Sequence, residues 1–143
     1  MSSEADMAQS GTTRIVVAGL GYVGLPLAVA LAEHFAVVGF DIDECRAGEL
    51  REGHDRTGEI EAARLEASSL VVTSDEADCR AADIYIVTVP TPVDAANRPD
   101  LGAVLSATAM IARVRGVTWR RTSSGSICQV LASESTNTGV APV

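Results

Sequence analysis

The sequence predicts an α/β fold, a doubly wound parallel sheet truncated after about four strands. Three observations carry this. Short continuous apolar runs bounded by glycine, such as Ile15-Val16-Val17-Ala18, read as strands buried on both faces. Such runs alternate with helical segments, as βαβ units require. Ala, Val, Leu and Gly supply most of the apolar mass while aromatics make up only 3% of the chain. That composition suits close packing of helices on strands.

Taken in order, residues 1–12 are small and polar and are expected to be a disordered leader. The first strand follows at Ile15–Ala18, then a glycine turn, then a helix over Leu25–Glu33. Pro26 is tolerable there only because it falls in the first turn. Ala36–Phe40 is a second buried strand, ending on Asp41. Asp43 is placed to cap a helix running through Arg51 and stopped by Gly53. A short helix is expected over Glu59 to about Ala67, and strands over Leu70–Thr73 and Asp83–Val89. Pro90, Pro92 and Pro99 bracket a loop closed to strand and helix alike. Asp100 can cap a last helix over Leu101 to about Arg115. Right-handed crossovers then give the strand order 3-2-1-4, the first half of a Rossmann-like dinucleotide fold with its switch point.

Composition excludes several function classes. Among 143 residues, 11 basic against 19 acidic side chains give a net charge of −8, the wrong sign for nucleic acid or an anionic membrane. Every basic residue is Arg, so a Schiff-base or phosphate-loop lysine is absent from these residues. Cys45, Cys79 and Cys128 form no CxxC pair, which argues for a reducing compartment and against a metal knuckle. The acidic N-terminus has no signal-type apolar stretch, and no window approaches a membrane span, so a soluble cytoplasmic protein is expected. His34 and His54 stand without a paired acid or metal-ligand spacing and read as structural.

The chemistry concentrates in Gly19-x-Gly21-x-x-Gly24, which follows a strand and opens a helix. Gly19 permits the tight turn, Gly21 lets backbone N–H groups approach a pyrophosphate, and Gly24 lets helix and strand pack closely. Asp41 ends the next strand 22 residues after Gly19, where it can accept hydrogen bonds from the adenosine ribose and repel a 2′-phosphate. NAD is therefore the expected cofactor, in preference to NADP; a glycine turn of another α/β protein is the alternative. Arg46 can reach the adenosine side, or be an arginine on an exposed helix face. The stretch Val87-Thr88-Val89-Pro90-Thr91-Pro92 lies at the carboxyl end of the strand beside the switch point, where ligands sit in open sheets. It also reads simply as a rigid turn.

The ordered set of Gly19–Leu27, Gly39–Asp43, Leu50–Glu59 with its His54-Asp55-Arg56-Thr57-Gly58-Glu59 loop, Val89–Asp94 and Arg98–Leu101 resembles the N-terminal domain of the UDP-glucose/GDP-mannose dehydrogenase family. The loop and the Val-Pro-Thr-Pro-Val-Asp stretch are most similar to the branch acting on UDP-N-acetyl-hexosamines, as in Vi-antigen-type polysaccharide synthesis. The resemblance spans residues 13–115. It implies NAD-dependent, four-electron oxidation of a sugar-nucleotide primary alcohol to the uronate, by an oligomeric enzyme. It places Gly21, Tyr22, Val23 and Gly24 along the pyrophosphate, Asp41 and Arg46 beside the adenosine ribose, and Pro90 and Thr91 against the cofactor.

The chain also departs from the family. The catalytic cysteine and lysine of the family lie far beyond residue 143, so no catalytic residue is expected among these residues. UDP-sugar turnover belongs to the full-length family members. Residues 116–143 do not match the family pattern and carry one acid against two arginines, whereas 1–115 carry 18 acids and 9 arginines. A reading-frame change near residue 116 accounts for such a tail, and natural divergence is the alternative. The expected function is an NAD-binding fragment without turnover of its own. A stand-alone nucleotide-binding or regulatory module pairing with a full-length homologue is the competing reading. A complete small oxidoreductase is disfavoured by the lack of an acid/base pair.

Overall fold

The computed structural model describes residues 12–116. All but the first residue of the tail expected to diverge from the family, Cys128 included, and all but the last residue of the leader lie outside that range. Four strands form one parallel sheet: β1 (Arg14–Ala18), β2 (Ala36–Phe40), β3 (Val71–Thr73) and β4 (Ile84–Val87), in the order β3-β2-β1-β4. That is the order the crossover rule predicted, with the switch point between β1 and β4. The register pairs Ile15 with Val37 on one side and with Ile84 on the other.

β1 has a strand on each edge and a hydrophobic layer on each face. Ile15 and Val17 point into one layer with Val37, Leu25, Val29 and Leu50. Val16 and Ala18 point into the other with Val38, Phe40, Cys79 and Met110. The period-two alternation explains why every residue of β1 after Arg14 is buried.

The first layer belongs to α1 (Gly24–Ala32), α2 (Glu44–Arg51) and α3 (Ala62–Ala67). In α1, Leu25, Ala28, Val29 and Ala32 recur at helical spacing and form the buried stripe. Burying a side chain such as Leu25 stabilises by roughly 1.5–3 kcal/mol. The Asp43 carboxylate accepts the Cys45 N–H at 3.0 Å and caps α2, and Gly53 ends that helix at φ +79°. The second layer belongs to α4 (Gly102–Arg115), with Met110, Ile111 and Val114, and to a 3₁₀ turn at Glu76–Cys79 that the sequence pattern did not signal.

The element bounds differ from expectation for identifiable reasons. α3 starts at Ala62 rather than Glu59 because the Glu59 and Ile60 N–H groups donate to the Asp55 carboxylate at 3.0 and 3.1 Å. β4 stops at Val87 because Thr88 turns to bond the end of β1. Asp100 accepts the Gly102 N–H at 2.8 Å, so it serves the start of α4 from one position further out than a cap residue. The proline-bracketed loop is tightened by an antiparallel bridge between Val93 and Pro99. Asp94 organises its tip, accepting from Ala96 and Arg98, with Asn97 in the left-handed region at φ 57°.

Candidate cofactor-binding site

The carboxyl ends of β1, β2 and β4 open into a cleft of about 900 Å³. Ligand pockets run to roughly 300–1,000 Å³, so the cleft stands at the upper end, as an extended ligand needs. The glycine turn forms its floor. Gly19 sits at φ +102°, and a Cβ there would lie 2.9 Å from the Thr88 carbonyl oxygen. Gly24 is buried behind the turn, where a Cβ would run into the Gly19 carbonyl and the Thr88 hydroxyl. Gly21 is the opposite case: a Cβ there would meet nothing within 4 Å, because that side faces the open cleft. α1 then begins with its dipole directed at the cleft; its Leu25 N–H donates to the Gly21 carbonyl at 3.1 Å, while the N–H groups of Gly21, Tyr22 and Val23 ahead of it have no acceptor among the described residues. This cradle fits a pyrophosphate.

Asp41, at the end of β2, is half-buried and already holds two backbone groups. One oxygen accepts the Leu20 N–H at 2.9 Å and the other the Asp43 N–H at 3.0 Å. Those bonds fix the carboxylate while leaving each oxygen lone-pair capacity for a ligand hydroxyl. A fixed anion at this position opposes a 2′-phosphate.

Arg46 lines the cleft but is no surface arginine: it is only 4% exposed. Its Nε donates to the Leu20 carbonyl at 3.0 Å, and Nη2 donates to Asp55 Oδ1 at 2.7 Å. Asp55 also accepts from the Thr57 hydroxyl and from the N–H groups of Thr57, Glu59 and Ile60. Burial alone would raise this carboxyl, but the bonds from Thr57, Arg46 and Ile60 outweigh it and hold it well below the usual carboxylate range. Next along the loop, exposed Arg56 pairs with Asp43 and Glu49 at 2.9 Å each.

The facing wall comes from the β4 loop and α4. Thr88 donates its hydroxyl to the Gly19 carbonyl at 2.8 Å, and its N–H to Ala18 at 2.8 Å. Pro90 and Thr91 follow it along the cleft, and Ala103, Ser106 and Ala107 present small side chains from α4 at helical spacing. Glu76 and Arg113, joined at 2.7 Å, close one end. Tyr22 and Val23 line the cleft while 71% and 51% exposed.

Every residue singled out for the cofactor from sequence lines this cleft except Gly24, which supports the turn from behind. Sequence reasoning missed Asp55 and Thr88, whose roles depend on contacts across 9 and 69 residues respectively. The signal for Asp55 was present in its loop, which was read as a marker of resemblance without a physical task. Cys79 is sealed in the core, and burial pushes its thiol up to about 11, which removes it as a nucleophile.

Comparison with known proteins places this geometry. Residues 13–135 match the model of the UDP-glucose/GDP-mannose dehydrogenase family, NAD binding domain. A UDP-N-acetyl-D-glucosamine 6-dehydrogenase of Pseudomonas aeruginosa is 48% identical over 102 residues, covering 71% of this chain and 24% of that protein. Protein CapL of Staphylococcus aureus is 44% identical over 100 residues, covering 70% and 24%. Among solved structures, a UDP-D-ManNAc dehydrogenase from Pyrococcus horikoshii superposes with a TM-score of 0.64 at 34% identity, over 71% of this chain and 26% of that one. The chain thus spans about a quarter of the length of the curated relatives it matches. With a glycine cradle, an acid on β2 and a family match across most of its residues, the chain belongs to the UDP-glucose/GDP-mannose dehydrogenase family, whose NAD-binding domain it carries.

Proposed function

We propose that the chain binds NAD in this cleft and serves the oxidation of a UDP-N-acetyl-hexosamine at its primary alcohol. The carrying observation is the union of an N–H-lined glycine turn with Asp41, whose carboxylate is tied to the Leu20 N–H at 2.9 Å. Gly19, Gly21, Tyr22, Val23 and Gly24 cradle the pyrophosphate, Asp41 and Arg46 stand beside the adenosine ribose, and Pro90 and Thr91 bound the far side. NAD, when bound, supplies the hydride acceptor. The chain's own residues bind and orient it. The sugar class is supported by relatives that are UDP-N-acetyl-D-glucosamine and UDP-N-acetyl-D-mannosamine dehydrogenases by description.

We take the domain as residues 13–115, within the 13–135 that match the family model, and hold that the 143-residue chain turns over no sugar alone. Support for this is chemical: among the described residues the cleft is lined by no histidine or cysteine, and the sequence contains no lysine. The setting is the cytoplasm, where UDP-sugars and NAD are available, and the complete enzyme is an oligomer. No helix among the described residues is long and apolar enough to cross a membrane. Calorimetry with NAD and NADP, paired with a dehydrogenase assay on UDP-N-acetyl-hexosamines, tests the reading. NAD binding with weaker NADP binding and no turnover is expected. No NAD binding at millimolar concentration sinks the cofactor assignment, and turnover by this chain sinks the claim of inactivity.

A further inference from the structure

The loop after α2 has no task in the site as described so far, although its residues are wound tightly around one carboxylate. The Asp55 side chain is 1% exposed and accepts from five donors, four of them within its own loop. Those local bonds fix its position before any ligand arrives. Asp55 is not among the residues that line the cleft, so it does not touch a ligand there. The fifth donor is Arg46, which does line it and whose Nε holds the Leu20 carbonyl at 3.0 Å. Among the described residues Arg46 Nη1 is buried without a partner, and Asp55 and Leu20 are the groups that hold this guanidinium by hydrogen bonds.

Leu20 is the residue from which the pyrophosphate turn departs. Its N–H is taken by Asp41 and its carbonyl by Arg46. A carbonyl turned toward Arg46 cannot turn toward an anion in the cleft, and the peptide that follows it presents the Gly21 N–H instead. Because Asp55 neutralises Arg46 at 2.7 Å, the pair brings geometry to the turn and little net charge.

We infer that Asp55 is a positioning residue of the cofactor site: it holds Arg46 on the Leu20 carbonyl and so sets the pyrophosphate turn. This rests on the NAD reading above. A double-mutant cycle tests it, with Asp55→Asn, Arg46→Met and the double variant in the full 143-residue chain. NAD affinity is read by calorimetry and folding by thermal melting. Asp55→Asn is expected to weaken NAD binding roughly tenfold or more, the range for a hydrogen bond to a charged group. In the Arg46→Met background it should weaken binding no further, whatever it does to the melting temperature. A purely structural role predicts the same loss in both backgrounds, and that result overturns the inference, as does unchanged affinity in Asp55→Asn.

A measurement on the wild-type chain stands if a variant fails to fold. In an NAD titration followed by NMR, the Arg46 Nε–H and Leu20 amide resonances should shift together with one dissociation constant. Saturable NAD binding that leaves both unmoved overturns the inference and spares the NAD reading. No binding at all overturns both.

Discussion

The Thr88 hydroxyl donates to the Gly19 carbonyl at 2.8 Å, across 69 residues of sequence. It ties the end of β4 to the glycine turn and keeps a carbonyl oxygen occupied beside the anion cradle. Thr88→Val preserves shape and removes the donor. It should lower stability by about 1 kcal/mol, the loss of a hydrogen bond to a partly buried carbonyl, and weaken NAD severalfold. Thr88→Ser should keep NAD affinity within about twofold. Melting curves and calorimetry on the two variants separate the hydroxyl from the methyl group.

Two glycines of the same turn should behave oppositely. Gly24→Ala drives a methyl into the Gly19 carbonyl and the Thr88 hydroxyl, so a loss of stability of about 3 kcal/mol or more is expected. Gly21→Ala meets no protein atom within 4 Å. Its melting temperature should hold within a few degrees while NAD affinity falls at least tenfold. Equal behaviour of the two variants in melting would contradict this account of the turn.

Asp41 holds two backbone N–H groups and carries the charge that opposes a 2′-phosphate. Asp41→Ser should reduce NAD affinity about tenfold and narrow the preference for NAD over NADP. The ratio of the two dissociation constants is the measurement. An unchanged ratio would remove Asp41 from cofactor discrimination.

The Asp55 carboxylate has a folded pKa held below its ordinary value of 3.8. Between those values the unfolded chain binds the proton and the folded chain does not, so acid favours unfolding. The contribution of this group is complete above about pH 4–5 and is lost as pH falls through the folded pKa. Melting temperature should drop steeply below about pH 4 in the wild type and less steeply in Asp55→Asn, with parallel behaviour at neutral pH.

What could be read from the sequence and what could not divide along contact range. The Gly19–Gly24 turn and Asp41 were legible because each glycine and the acid answer to local backbone chemistry. The sheet order followed from crossover handedness. The start of α3 was misplaced because Asp55, itself four residues upstream of Glu59, competes for the N–H groups a helix would leave free. The burial of Arg46 was not legible, since its fate depends on a partner nine residues away and a carbonyl 26 residues away. The 3₁₀ turn at Glu76–Cys79 has no amphipathic period to announce it, and its Cys79 is buried only because Phe40 and Met110 meet there.

β1 serves two layers at once, and the consequence is one of timing during synthesis. Its Ile15 and Val17 find cover from α1 soon after they emerge, but Val16 and Ala18 wait for Cys79, Ala82 and finally Met110. One edge of the strand that comes first stays open until β4 has left the ribosome, and one of its faces lacks full cover until α4 follows. A nascent chain halted before β4 therefore exposes a Val-rich strand with an unfilled edge and an uncovered face, the form in which this domain is most exposed to aggregation or to capture by chaperones.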